Sequence, residues 1–344
     1  MIRRIAYILL AVLVSLIAAE LALRLLGYGP RRLMAELPDR ASQVSSRYTD
    51  SIGFDLKPGH YTPVMGGQEL SVTNTSYASR AVFMAEQNPV QPLVLLGCSF
   101  TYGYGLSDRE TYPYLLDSAC SEFSVKNLSC PSDGTLQSLL RLKRYLACNS
   151  CNSPLVVVLN YLSFHDERNC LNASYRAKIY EGYLALKQSS LTAQAGLNLA
   201  VLFPYIDAAD EQHALHYVSY DHLVDWDVPF VHELALSNLL SAVFIKAKCD
   251  PRRERQLSIY LIRQIQQLCT DSNIRFCVSY MENPAQIRDV LDSCRVSGIE
   301  TIDLSIDFND RKNFNYPADP VHPNAKANRV FMTKFLKHIR DNWN

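Results

Sequence analysis

The chain has 344 residues, 48% of them hydrophobic, which is enough for one large core or for a core domain carrying an N-terminal extension. Lysine plus arginine and aspartate plus glutamate each number 34, so the formal net charge is zero. No basic excess is available to attract nucleic acid, and no polyanionic partner is expected.

The first segment, "MIRRIAYILLAVLVSLIAAELALRLLGYGP", sets Arg3 and Arg4 before an apolar run from Ile5 to Ala19 that continues past Glu20 and Arg24 to Leu26. As a helix rising about 1.5 Å per residue, the longer run just crosses a hydrocarbon core of about 30 Å. The shorter run resembles a secretory signal. No Ala-x-Ala cleavage pattern follows it, since Leu16 and Ile17 precede Ala18 and Ala19, and this favours an uncleaved anchor over residues 1–27. Positive charge before the span predicts a cytoplasmic N-terminus and an exported remainder, periplasmic or at the cell surface. Glu20 and Arg24, one helical turn apart, are placed to pair at the outer interface.

Ten cysteines fit an exported chain, and their even number leads to an expectation of disulfides, with no pairing legible. Cys148 and Cys151 form a C-x-x-C, but no second pair follows at zinc-finger spacing, so no structural zinc is expected.

Residues 28–89 are polar and turn-rich and read as a stalk or small β extension. From about residue 90 the pattern changes to short apolar runs, "LVLLG", "SVKNLS", "LVVVLNYL", "IRFCVSYM" and "IETIDLS", separated by helical stretches. Such runs are what a parallel sheet buried on both faces requires, and they predict a three-layer α/β/α sandwich with a mainly parallel sheet over residues 90–344. Leucines at helical spacing mark helices in "DRETYPYLLDSAC" and "DGTLQSLLRLKRYLACN", and "DPRRERQLSIYLIRQIQQLCTDSN" reads as a long helix ended by Asn273. Between the third and fourth strands, residues 169–249 form an insertion rich in tyrosine, histidine and aspartate. Its departure from a strand end predicts a lid or substrate cap.

Two segments carry chemistry. In "PLVLLGCSFTYGYGLSDRETYPYLL" a buried strand ends at Gly97-Cys98-Ser99 and a turn leads into a helix. A serine there is exposed at the sheet edge, and its own N–H can face the oxyanion formed when it attacks a carbonyl. The G-x-S-x-G elbow is absent because Thr101 stands two residues after Ser99, and the alternative reading of Ser99 is a helix cap. In "NYPADPVHPNAKANRVFMTKFLKHIRDNW", Asp319 and His322 precede Pro323 and an amphipathic helix. At that spacing one short turn can present both side chains to one site, the carboxylate orienting the imidazole that takes the serine proton.

These segments resemble the SGNH/GDSL hydrolases: "LLGCSFTYGYGLSD" looks like their first block, "NLSCPSDGTLQSLLRLK" like their second, with its glycine at Gly134, and "PADPVHPNAKAN" like their last. The likeness covers the chain from about Leu93 to the C-terminus, and an anchor followed by the D-x-x-G-x-x-L-K-P segment beginning at Asp50 is similar to exported members. The resemblance implies an SGNH hydrolase (flavodoxin-like) fold, Ser99 as nucleophile, His322 as general base and later acid, and Asp319 as the group that orients it. It also implies an oxyanion hole from the N–H groups of Ser99 and Gly134, with no cofactor. Two departures are visible. Cys98 replaces the aspartate that often precedes the nucleophile, and "LVVVLNYLSFHDERNC" lacks the Gly-x-Asn-Asp of the third block. His165 stands nearest the missing asparagine, with Asn160 and Asn169 as alternatives. A neutral imidazole can donate one N–H, while the other reading has His165 and Arg168 simply holding the lid.

His213, His216 and His222, with Asp207, Asp210, Asp221 and Asp225, match no standard metal spacing and read as a polar cap surface, so no metal is expected. Tyr102, Tyr104, Tyr217 and Trp226 are candidate sugar-stacking platforms, or else partial core. The resemblance implies hydrolysis or transfer of a small acyl group, acetyl foremost, on an envelope carbohydrate or related ester. A lipid-type carboxylesterase and a non-catalytic envelope-binding protein that retains the fold are the alternatives, and neither the acyl acceptor nor any protein partner is legible.

Overall fold

The computed structural model describes residues 2–31, 46–49, 52–75, 79–82, 91–148, 156–188, 202–219, 222–223, 228–315 and 319–343. Cys151, Asp221, Asp225 and Trp226 lie outside them. The chain forms two compact units, residues 1–37 with 172–192 and 221–250, and residues 38–171 with 193–220 and 251–344.

The first unit contains helix α1, Ile2–Leu25. Within it Arg3–Leu25 is a 23-residue stretch long and apolar enough to cross a membrane, and it is unburied. Among the described residues, later segments of the same unit form two further helices, described below.

The second unit begins with six short strands: β1 Ser46–Thr49, β2 Gly53–Leu56, β3 Gly59–Tyr61, β4 Val64–Met65, β5 Gln68–Glu69 and β6 Val72–Asn74. They pair antiparallel as β1 with β2, β3 with β6 and β4 with β5. Strand β7, Gln91–Leu96, leads into the one-turn helix α2, Ser99–Tyr102. There follow α3 Tyr112–Ala119, β8 Phe123–Asn127, α4 Thr135–Cys148, β9 Val156–Tyr161 and the short α5 His165–Asn169. Helix α6, Ala173–Gln188, belongs to the first unit. The hairpin β10 Leu202–Ile206 with β11 Leu215–Ser219 returns to the second, and α7 Ala235–Ala247 to the first. The remainder is α8 Pro251–Asp271, β12 Arg275–Tyr280, α9 Arg288–Val296, β13 Glu300–Asp303, β14 Phe314–Asn315, β15 Asp319–Pro323 and α10 Ala325–Asn342.

The central sheet has five parallel strands in the order β13-β12-β9-β7-β8. Successive residues of a strand point to opposite faces, and here both faces are covered. Val94, Leu96, Val157, Leu159 and Val278 pack with Leu136, Leu139 and Leu142 of α4, with Leu257, Leu261, Ile262 and Ile265 of α8, and with Val290 of α9. Leu93, Leu95, Val156, Val158 and Cys277 pack instead with Tyr112 and Leu116 of α3 and with Ala327, Phe331, Phe335 and Ile339 of α10. At about 1.5–3 kcal/mol for each large side chain withdrawn from water, this double burial explains why β7 and β9 read as unbroken apolar runs.

The helix boundaries follow local chemistry. Asn324 caps α10 by accepting from the Ala327 N–H at 3.0 Å, and Asn273, with φ of 54°, turns the chain out of α8 in the left-handed region that asparagine tolerates. No disulfide is present among the described cysteines. Cys98, Cys120, Cys130, Cys148, Cys269, Cys277 and Cys294 are free thiols, against the expectation drawn from their number and the presumed compartment. The reason is placement: all but Cys148 are buried, and Cys98, Cys120 and Cys277 fill one face of the core while Cys269 and Cys294 fill the other. Cys170 and Cys249 donate weakly to the backbone carbonyls of Asp166 and Ile245.

Candidate active site

The site is built at the carboxyl end of β7. Gly97 follows the strand with φ of 149°, and a β-carbon there would stand 2.6 Å from Thr101 Oγ1 and 3.2 Å from the Asn160 backbone oxygen. Only glycine lets the chain turn so closely over β9. Cys98 then enters the core and Ser99 starts α2, whose end is closed by Gly103 at φ of 82°, its N–H donating to Ser99 O. As the first residue of that helix, Ser99 has an N–H without an intrahelical acceptor.

His322 and Asp319 arrive on β15, which pairs antiparallel with β14 through Phe314 and Pro323. Asn324 fastens this segment: its Nδ2 donates to Lys312 O at 2.8 Å and Phe314 O at 2.9 Å, and its own N–H donates to Asn313 O. Asn328 reinforces it, donating to Asn324 O and accepting from the Tyr112 N–H. The residues around "HPNAKAN" thus hold the histidine by side-chain bonds to backbone.

His322 Nε2 lies 3.0 Å from Ser99 Oγ, and His322 Nδ1 lies 2.6 Å from Asp319 Oδ2. With Nδ1 donating to the carboxylate, Nε2 is left as the acceptor of the serine hydroxyl. Asp319 Oδ1 accepts from the N–H groups of Val321 at 3.0 Å and His322 at 3.2 Å, so both carboxylate oxygens are committed. Burial works to raise the Asp319 pKa, but the bond and charge of His322 and these two amides outweigh it and hold the carboxyl below its usual range. Aromatic rings frame the imidazole, Tyr104 at 4.6 Å between centroids and Phe100 at 5.6 Å.

The other sequence-derived positions lie differently. Gly134 is the residue before α4, and its N–H donates to Gln137 Oε1 at 2.9 Å. This is half of a capping box, in which the third residue of a helix reaches back to the cap amide. An oxyanion would have to displace Gln137 to use it. Space, rather than φ, demands glycine here, since a β-carbon would sit 2.6 Å from Asn169 Oδ1 and 3.0 Å from Arg168 Cβ. Asn169 accepts from the Leu136 N–H and donates to Ser258 Oγ, so it is a strut between α4 and α8. Asn160 donates to Ser279 Oγ across the sheet, and its buried Oδ1 has no partner among the described residues.

His165 is fully buried, edge-on to Tyr161 and Phe164. Its Nδ1 stands 3.5 Å from Thr135 Oγ1, and its Nε2 has no partner among the described residues. Burial, with the charge of Arg168, holds its pKa well below the ordinary histidine range, so the ring is neutral and carries one N–H. No hydrogen bond joins Ser99 to Gly134, Asn160, His165 or Asn169. Arg168 donates to Asp133 O at 2.8 Å and covers the Phe164 ring, which makes it a brace for the turn before α4.

Tyr102 is not a stacking platform: it is buried, its hydroxyl donates to Asn74 Oδ1, and the Arg80 guanidinium lies over its ring. Tyr217 is exposed on β11. Of the polar residues of the insertion, His213 stacks on Tyr260 at 4.0 Å, and Asp210 accepts from the backbone of Gln212 and Ala214.

One residue that sequence reasoning missed is Arg80. Fully buried, it donates to Asp108 Oδ1 at 3.0 Å, to Tyr102 O at 3.1 Å, to Gly103 O at 2.6 Å and to Leu106 O at 2.5 Å. These carbonyls belong to the turn that carries Tyr104 onto His322. Nothing in "SYASRAV" signals it, because its partners are three backbone oxygens and a carboxylate 28 positions away. A second hub is Arg141, bonded to Asp133, Asp55 and Phe54 O, which ties β2 to the turn before Gly134.

No family model matches the sequence, and no curated protein matches it. Solved structures similar to this chain include a lipolytic protein of the G-D-S-L family from Veillonella parvula, 11% identical over 72% of this chain and 97% of that one, with a TM-score of 0.35. Another is the psychrotrophic esterase EstA from a Pseudoalteromonas species, 11% identical over 73% and 97%, with a TM-score of 0.37. A carbohydrate esterase whose active site displays divergent catalytic and non-catalytic binding functions is 11% identical over 79% and 75%, with a TM-score of 0.41. TM-scores below 0.5 at this identity do not establish a shared fold.

Proposed function

We propose that the chain is a membrane-anchored serine esterase that acts on a small acyl ester outside the cytoplasm. The observation that carries the reading is the continuous relay from Ser99 Oγ through His322 to Asp319, at 3.0 and 2.6 Å. His322 Nε2 takes the hydroxyl proton as Ser99 Oγ bonds to the ester carbon, and Asp319 stabilises the imidazolium that forms. The tetrahedral oxyanion faces the Ser99 N–H. Collapse expels the alcohol, which receives the proton from His322, and leaves an acyl-serine. Water, deprotonated by the same histidine, then releases the acid. Gly134 completes the oxyanion hole when Gln137 swings away from its N–H, and the neutral His165 supplies a third donor if its ring reaches the oxyanion. The exposed α1 is the anchor.

Acetyl on an envelope carbohydrate is the substrate that the resemblance to exported hydrolases implies; transfer to an acceptor hydroxyl uses the same acyl-serine. The test is hydrolysis of p-nitrophenyl esters from acetate upward by the full chain and by Ser99→Ala. Turnover highest on acetate and absent from the variant supports the proposal, a maximum on long chains favours a lipid-type esterase, and no turnover at any length counts against catalysis.

A non-catalytic binding protein is the second reading, favoured by Gln137 occupying the Gly134 amide. Fold-level likeness does not choose between the two.

A further inference from the structure

Residues 59–74 are fastened to the turn that carries Tyr104 onto His322. Strands β3 and β6 pair on either side of the hairpin β4–β5, which closes through Gly66 and Gly67. At the base of that hairpin the Leu70 N–H donates to Pro63 O at 2.7 Å and the Ser71 N–H donates to Ser107 Oγ at 3.1 Å. The Asp108 N–H donates in return to Ser71 O at 2.8 Å, and the Thr73 N–H donates to Asp108 Oδ1 at 3.1 Å. Met65 and Tyr104 pack against one apolar cluster, formed by Leu56, Leu70, Val72, Tyr102 and Cys130. The hairpin is therefore held in place beside the catalytic residues.

Met65 meets a second residue of the site over Gly105. A β-carbon on that glycine would stand 3.0 Å from Met65 Sδ and 2.9 Å from Asn315 Nδ2. Asn315 is the partner of Asp319 in the β14–β15 ladder, and the Tyr104 ring lies 4.6 Å from that of His322. Met65, Tyr104 and Asn315 thus gather on the His322 side of Ser99. Asn315 Nδ2 is buried and has no partner among the described residues. An enclosed amide of this kind stays uncompensated until an acceptor reaches it. Met65 is half-buried, and an unbranched thioether side chain repacks readily around whatever it meets.

In the serine mechanism His322 Nε2 gives its proton to the alcohol oxygen of the ester, so the alcohol moiety lies on the imidazole side of Ser99. We infer that Met65 and Asn315 form the wall that selects this moiety, and that it is a carbohydrate. Met65 and the Tyr104 ring supply the apolar face, and Asn315 Nδ2 donates to a hydroxyl or ring oxygen of the sugar once the thioether yields. The inference rests on the serine-esterase reading and deepens it by assigning the alcohol side of the site to the segment that precedes the sheet and to β14. Acyl length is read elsewhere.

The test measures kcat/KM of the full chain on two esters that share the acetyl group, a monoacetylated methyl glucoside and cyclohexylmethyl acetate, and on p-nitrophenyl esters from acetate to octanoate. Wild type is compared with Met65→Ala, Asn315→Leu and Asn315→Ala, the last removing the donor without adding bulk. Wild type is expected to prefer the glucoside ester, and both Asn315 variants to lose that preference by about tenfold, the weight of one hydrogen bond. Met65→Ala should slow both acetates, and the order of p-nitrophenyl esters should stay that of wild type in every variant. A wild type without preference for the glucoside ester, equal losses on every ester in the Asn315 variants, or a changed acyl order with the alcohol preference intact overturns the inference and leaves the esterase standing. Wild type that turns over no ester and takes no fluorophosphonate at Ser99 removes the esterase reading, and the inference falls with it.

Discussion

His322 Nε2 stands 3.0 Å from Ser99 Oγ although 223 positions of sequence separate the two residues. The contact depends on two separately anchored turns. One is Gly97-Cys98-Ser99 above β9, and the other is the β15 segment fastened by Asn324 and Asn328.

Asp319→Asn tests the orienting role. The amide is isosteric but can donate to Nδ1, which leaves Nε2 protonated and unable to accept from Ser99. The expected result is a fall in kcat of about 10⁴-fold with KM little changed, measured on the best p-nitrophenyl ester. Because ionised Asp319 is favoured in the folded state, its contribution to stability is complete above the unfolded carboxyl pKa and is lost as pH falls through the lower folded value.

Arg80→Leu removes four donors at once and leaves Asp108 and three carbonyls facing an apolar side chain. Breaking such a buried pair costs about 3–5 kcal/mol, read as a lower guanidinium midpoint with unchanged slope. Arg80→Lys keeps the charge but lacks the planar fork, so an intermediate midpoint is expected. Equal midpoints for wild type and Arg80→Leu would show that the guanidinium does not hold the 102–106 turn.

The neutral, buried His165 makes stability depend on pH. Its folded pKa lies well below that of the unfolded chain, so the unfolded state binds the proton first as pH falls. Stability attributable to this ring is complete above about pH 6.5 and declines below it by about 1.4 kcal/mol per unit until the folded pKa is reached. Subtracting the profile of His165→Gln from that of wild type, by chemical denaturation between pH 8 and pH 5 (about the range where histidine titrates), should isolate this slope. Parallel profiles would contradict it.

Gln137→Ala frees the Gly134 N–H. The cap loss should lower stability by about 1 kcal/mol, while kcat/KM equals or exceeds that of wild type because an oxyanion no longer competes with Oε1. A fall in kcat/KM without unfolding would show that Gln137 is itself required.

What the sequence discloses of this molecule follows from how local each signal is. Strands β7 and β9 are legible because burial on both faces makes each a nearly unbroken apolar run, and "LVVVLNYL" matches β9 within one residue at either end. The Asp319-x-x-His322 pair is legible because three residues of chain suffice to set it. Arg80 and Arg141 are invisible because an arginine that serves distant carbonyls and carboxylates reads like any surface arginine. Gly134 looks like a free oxyanion donor until Gln137 is seen to occupy it, a bond set by rotamer rather than by sequence. The cysteines mislead because an even number says nothing of whether each is spent as a small apolar core residue.

The Ser99–His322 relay is tested most directly by mass-spectrometric mapping of a fluorophosphonate adduct on the full chain, alongside Ser99→Ala and His322→Ala. One adduct is expected, on the peptide containing Ser99, absent from Ser99→Ala and much slower to form in His322→Ala. An unlabelled wild type, or an adduct that persists in Ser99→Ala, would contradict it.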